Sequence, residues 1–186
     1  MAKTIKATDY LVISARVKAL ETGLLTAERM EQILDAKSGE DAGKVKYDYH
    51  NVKALLKAEA VGTAPDRMLM DMGRVSTAEL AEAVRSRELD GLPETLAAAV
   101  AEAREVLDTT RDPQLSDIVL DRWCYRDLAQ VAESTGSAFL MGYVQTQIDA
   151  ANLRTLVRTL RMGKGPEFLR GVLLEGGELS ADQLLE

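Results

Sequence analysis

This sequence predicts an all-α fold built on a duplicated helical module. Hydrophobic residues make up 46% of the chain but aromatic ones only 4%. Strands recruit aromatic and β-branched side chains, whereas Ala, Leu, Glu and Arg, abundant here, favour helices. No segment alternates apolar and polar residues with a period of two over a useful length. A helix signature also occurs twice, as Asp48-Tyr49-His50-Asn51-Val52-Lys53-Ala54-Leu55-Leu56-Lys57 and as Asp149-Ala150-Ala151-Asn152-Leu153-Arg154-Thr155-Leu156-Val157-Arg158. The copies stay in phase through Gly62 and Gly163, then Pro65 and Pro166. After a shift of three residues, Gly73-Arg74-Val75-Ser76 matches Gly177-Glu178-Leu179-Ser180. Chance does not keep glycine, proline and apolar positions aligned over such a window, so the chain reads as a repeat.

The elements follow in order. A first helix is expected from about Asp9 to Leu25, with Leu11, Val12, Ala15, Ala19 and Leu20 near helical spacing. Thr26 can cap a second, with Glu28 in its first turn and Met30, Ile33 and Leu34 facing inward. Ser38-Gly39-Glu40-Asp41-Ala42-Gly43-Lys44 reads as a short polar linker. The first signature helix runs from about Val45 to Val61 on a stripe of Val45, Tyr49, Val52, Leu55 and Leu56, and Gly62 suits its left-handed end. A short helical turn after Pro65 leads to Gly73. Ser76-Thr77-Ala78-Glu79 and Ser180-Ala181-Asp182-Gln183 are capping boxes at matched repeat positions. Pro93 suits the first turn of a helix to about Leu107. Another starts near Pro113 and carries Ile118, Val119, Trp123, Leu128 and Val131. Beyond Gly136, the second signature helix spans about Ala138 to Met162, and a short helix through Phe168 and Leu169 follows. The expected division is a first module over residues 1–90 and a second over 91–186.

Composition narrows the function. A chain of 186 residues can bury a real core. Its net charge of −7 argues against binding a phosphate backbone, which needs clustered Lys and Arg. Arg154, Arg158 and Arg161 could form a local basic face, although a solvated helix face is the plainer reading. Cys124 is the only cysteine, so no intrachain disulfide forms, and its neighbours Trp123 and Tyr125 suggest a packed thiol. No apolar run approaches the ~20 residues of a membrane helix, and Met1-Ala2-Lys3-Thr4-Ile5-Lys6 lacks the apolar stretch of a signal peptide. A cytoplasmic chain is expected.

Asp48 with Asn51, and Asp149 with Asn152, are i, i+3 pairs on or beside the apolar stripe. They could form a polar site between helices. Their recurrence instead favours a structural role, an interhelical hydrogen bond that sets register. His50 is the only histidine and has no partner for a His-based metal site. A Cys124–His50 nucleophile–base pair has no local support, and Asp121 and Asp127 resemble ordinary helix-surface charges. Gly163-Lys164-Gly165 is too short for a phosphate loop, and Pro166 follows it. No catalytic residue, cofactor, metal or small-molecule substrate is predicted.

Several of these strings resemble one family, the C subunit of V-type (A/V-type) ATPases and ATP synthases, called the d subunit in eukaryotic vacuolar enzymes. Tyr10, the run Ala15-Arg16-Val17-Lys18-Ala19-Leu20-Glu21 and Leu24-Leu25 resemble its N-terminal helix. Tyr47 through Lys57 looks like its first D-x-x-N-[LV]-[KR] helix. Leu120-Asp121-Arg122-Trp123-Cys124-Tyr125-Arg126-Asp127-Leu128 resembles its L-D-x-x-Y-Y helix, and Ile148 through Leu156 its second D-x-x-N helix. The resemblance implies a funnel of three helical modules on the cytoplasmic side of a membrane rotor ring, with the central stalk in its mouth. The implied role is mechanical, coupling the stalk's rotation to the ring for transport of protons or sodium ions. No nucleotide, metal or ion-carrying carboxylate belongs to it. The family has a longer helical stretch before the first D-x-x-N helix, and a third module would begin where this chain stops at Glu186. A shortened form with two of three modules is therefore expected, peripheral to the membrane, with some self-association. The competing reading is a general helical-repeat adaptor with soluble partners; a small all-α enzyme using Cys124 or His50 comes third.

Overall fold

The structure, a computed structural model, describes residues 37–65 and 67–185. The two helices expected before Ser38, and the Tyr10 to Leu25 strings, lie outside the described residues. Seven helices and no strand occur among the described residues: α1 (Lys37–Val61), α2 (Thr77–Ser86), α3 (Glu94–Thr110), α4 (Pro113–Ser134), α5 (Ala138–Arg161), α6 (Pro166–Val172) and α7 (Ala181–Leu185).

The expected linker Ser38 to Lys44 is not a loop; it forms the first turns of α1. Ala42 and Val45 are buried in the same stripe as Tyr49, Val52 and Leu56, so the apolar period simply extends backwards through the polar run. A Glu40–Lys44 pair, 2.7 Å apart and one helical turn in spacing, supports it. Gly39, Asp41 and Gly43 suggest a break, but tertiary burial overrides their low helix propensity. The segment after Pro65 is turn rather than helix, tied by a hydrogen bond from Met68 N–H to Pro65 O of 2.7 Å. Pro93 is the N-cap of α3, one position before the first helical residue.

Caps set most of the other boundaries. Asp112 accepts from the Gln114 amide at the start of α4, and Pro113 occupies the first turn, where no amide is needed. Ser137 caps α5 through the Leu140 amide. Ser76 accepts from the Glu79 amide, and Ser180 and Gln183 bond reciprocally at α7. Gly62 and Gly163, the matched residues closing the two signature helices, have φ of 72° and 64°, a conformation costly for any residue with a Cβ.

α4 lies at the centre. Its pairings with α1 run in opposite order along the two helices: Tyr49 with Asp127, Lys53 with Asp121, Lys57 with Asp117. The two are therefore antiparallel. α3 and α4 are antiparallel too, joined by Thr95–Gln130, Trp123–Glu102 and the bond from Ser116 Oγ to Ala103 O. α4 also packs along α5, and Arg122 donates to the Gly171 carbonyl at α6. One apolar cluster runs through α1, α2, α3, α4 and α5, with Tyr49, Leu80, Leu96, Leu120 and Ile148 fully enclosed. A smaller cluster of Leu169, Leu173 and Leu184 seats α6 and α7. The main core positions the polar residues of both signature helices.

Candidate functional site

The helical period places Asp48 and Asn51 on the buried face of α1, both with 0% exposure. Neither bridges to another helix, as the expected register bond would. They hold the loop that follows their own helix. Asn51 Nδ2 donates to Met70 O and Asn51 Oδ1 accepts from Met70 N–H, both at 2.8 Å. Asp48 Oδ1 accepts from the backbone amides of Arg74 (2.9 Å) and Val75 (3.3 Å). A Cβ on Gly73 would collide with that same oxygen, so glycine is what lets the loop close on the carboxylate. An amide and a carboxylate one helical turn apart thus clamp a turn whose backbone groups would otherwise lack partners.

The second signature helix makes the corresponding bonds. Asn152, 1% exposed, donates to Leu174 O (2.9 Å) and accepts from Leu174 N–H (2.8 Å). Asp149 accepts from the amides of Glu178 (3.1 Å) and Leu179 (3.2 Å), and a Cβ on Gly177 would strike its Oδ1. The three-residue shift seen in sequence falls between Pro166 and Leu174, a stretch occupied mostly by α6.

Arg74 and Asp127, neither given a role in a polar site from sequence, extend the first clamp into an ion cluster. Arg74 Nε donates to Asp48 Oδ2 at 2.8 Å. Its two terminal nitrogens donate to Asp127 Oδ1 and Oδ2 at 3.0 and 2.7 Å, a bidentate fork. Tyr49 Oη adds a bond of 3.1 Å to Asp127 Oδ2. Asp127 is buried, which corrects its reading as a surface charge. It stands seven residues after Leu120 and three after Cys124, on the apolar stripe of α4, and that spacing is the available signal. Asp121 lies nearer the surface, paired with Lys53 at 2.6 Å.

Electrostatics agree with this geometry. Burial opposes the Arg74 charge, but hydrogen bonds to Asp127 and Asp48 outweigh it and hold the guanidinium more firmly protonated than in water. Burial, with the Asp127 charge, pushes the Tyr49 phenol well above its ordinary range. Burial likewise raises the Cys124 thiol to about 12. A thiol of this kind is a packing group and a poor nucleophile. His50 lies on the exposed face, its Nε2 3.0 Å from Met68 O. Arg154, Arg158 and Arg161 are exposed along α5. Among the described residues no cluster of His, Cys, Asp or Glu has a metal-binding arrangement, and no helix is long and apolar enough to cross a membrane.

Among the described residues the buried acids, Asp48 and Asp127, are both engaged by Arg74 in an all-helical fold. Its family is established by comparison: the chain belongs to the ATP synthase (C/AC39) subunit family, whose family model matches residues 44–186. It is 26% identical over 141 residues to the C subunit of the V-type sodium ATPase of Enterococcus hirae, covering 76% of this chain and 43% of that protein. It is 29% identical over 133 residues to the C subunit of the V-type ATP synthase of Thermus thermophilus, covering 68% and 41% respectively. The chain thus spans about two fifths of the length of these curated relatives. No solved structure matches it.

Proposed function

We propose that this chain is a non-catalytic part of a rotary V-type ATPase or ATP synthase, coupling the central stalk to the membrane rotor ring for ion transport. The match of residues 44–186 to the ATP synthase (C/AC39) subunit family carries the reading. The use of the buried polar groups supports it: Asp48, Arg74, Asp127 and Tyr49 satisfy one another and two backbone amides, leaving no poised acid or base. A coupling part has to transmit torque, and a loop clamped at both Asp48 and Asn51 resists displacement better than a free one. The two clamps are read as the same element of a duplicated module, divided near residue 90. The chain would work at the cytoplasmic membrane surface, as a peripheral part of the complex, with neither a nucleic-acid nor a small-molecule partner.

The test is capture of the purified chain by the central-stalk proteins and by the detergent-solubilised ring, alongside an ATP-binding titration. Retention on stalk or ring without ATP affinity is the expected result. A chain that ignores both, or that binds and hydrolyses ATP, would defeat the reading; in the first case the helical-repeat adaptor with soluble partners takes its place.

A further inference from the structure

The junction between α5 and α6 differs in charge from its counterpart after α1, where Val61, Met68, Met70 and Met72 are exposed too but the sequence sets Lys53, Lys57 and Arg67 against Glu59 and Asp66. Leu160 through Phe168 form an unbroken run of exposed residues between buried Thr159 and Leu169. Three of them are large and apolar: Leu160 (66% exposed), Met162 (62%) and Phe168 (40%). The surrounding charge is basic, with Arg154, Arg158, Arg161, Lys164 and Arg170 against the single acid Glu167 between residues 154 and 170. This concentration sits in a chain of net charge −7.

The pairing of those cations differs from that of three lysines on α1. On α1, Lys44, Lys53 and Lys57 are each paired with a carboxylate. Among the described residues, Arg158, Arg161 and Lys164 have no carboxylate partner; Lys164 lies 5.8 Å from the Phe168 ring. A protein with an excess of acids thus leaves Arg158, Arg161 and Lys164 uncompensated beside exposed Leu160, Met162 and Phe168.

We propose that this junction docks on an anionic lipid surface. Long cations beside Leu, Met and Phe are the composition that seats a helix end at a charged interface: the cations meet headgroups while the apolar side chains enter the acyl boundary. The remainder of the sequence carries the net negative charge, which the same surface repels. A soft headgroup layer accepts exposed side chains without a matching cavity, and diffuse headgroup charge suits guanidinium groups that no carboxylate holds in a fixed orientation. The inference goes beyond the rotor reading and stands apart from it, since vesicle binding requires no other part of an ATPase.

Co-sedimentation of the full chain with vesicles tests it, using phosphatidylcholine alone and phosphatidylcholine with roughly one third phosphatidylglycerol. Binding to the anionic vesicles only, weakened by salt, is expected. Each cation near such a surface is worth about 1 kcal/mol, or roughly five-fold in partitioning. The variant Arg158→Glu with Arg161→Glu should therefore lower binding by well over ten-fold. Phe168→Ser with Met162→Ser should lower it less, without changing its salt dependence. All four positions are exposed, so circular dichroism should show unchanged helix content. Equal binding to neutral vesicles, full binding by the charge variant, or no vesicle binding at all overturns the proposal. If the charge variant loses capture by stalk or ring while the wild-type chain ignores vesicles, the surface belongs to an acidic protein instead.

Discussion

The two clamped turns share one backbone solution and differ in what surrounds it. In both, an Asn holds a loop residue by two hydrogen bonds, and an Asp three positions earlier receives two amides just after a glycine that leaves room for it. In the first, the residue after that glycine is Arg74, which binds Asp48 and reaches across to Asp127 on α4. In the second it is Glu178, an exposed acid, and Asp149 is only half-buried where Asp48 is enclosed. Tyr49 supports the first cluster, whereas Ala150 stands at its repeat equivalent. The difference separates two jobs. Holding a turn to its helix needs the amide and the carboxylate alone; tying that turn to another helix needs the added cation and its second acid.

Removing the added cation should therefore produce the largest effect. Arg74→Met leaves Asp48 and Asp127 buried together without a positive partner, and breaking a buried ion pair in this way costs about 3–5 kcal/mol. Glu178→Met, at the matched position, touches no hydrogen-bonded side chain and should stay within about 0.5 kcal/mol. Urea unfolding of both variants gives the comparison directly. Similar losses at the two sites would mean that the ion cluster is not what distinguishes them. Arg74→Lys sharpens the result, since it keeps the charge but loses the fork to Asp127 and should fall between the two.

The shared part of the clamp predicts smaller and nearly equal losses. Asn51→Ala and Asn152→Ala each remove two hydrogen bonds and leave a loop amide and carbonyl unpaired, at ~1–3 kcal/mol. Thermal melting measures both. A loss at Asn51 with none at Asn152 would break the equivalence of the clamps. Unchanged melting of Asn152→Ala together with lost capture by stalk or ring would mark Asn152 as a contact residue.

The legible and illegible parts of this fold divide along the same physical line. Helical type, the capping boxes and the left-handed glycines follow from local rules, and Gly62, Ser137 and Asp112 obey them. The importance of Asp48, Asn51, Asp149 and Asn152 is readable because repetition exposes a polar residue on an apolar stripe. Their acceptors and donors are not readable, since Met70 and Leu174 contribute backbone atoms that carry no residue signature. Arg74 escapes notice because its repeat partner is Glu178, so the comparison that reveals the clamp conceals the cation. Asp127 escapes because a charge within a charged helix looks solvated until seven-residue spacing is weighed. The start of α1 misleads for the converse reason: Gly39, Asp41 and Gly43 are poor helix formers, but Ala42 and Val45 bury in phase with Tyr49.

Cys124 offers the gentlest test, because it reports whether α4 stays closed behind the first clamp without removing any bond. It lies three residues before Asp127 and is buried in the main core. Burial raises its thiol to about 12 from an ordinary value of 9.0. Each tenfold step in that ratio is one pH step, so the folded protein should hold on the order of a thousand-fold less thiolate than the unfolded chain at pH 8. The sign for stability follows. The neutral thiol is favoured in the fold, so its contribution is complete below the unfolded value near 9 and is lost as pH rises from there toward about 12. Labelling with a disulfide reagent at pH 8 should be slow in the native chain and fast in urea. Arg74→Met should speed native labelling by loosening the α1–α4 seam, whereas Glu178→Met should leave it unchanged. Native labelling as fast as in urea would show that the wall beside the first clamp is open already, and the contrast between the two clamps would then lose its physical basis.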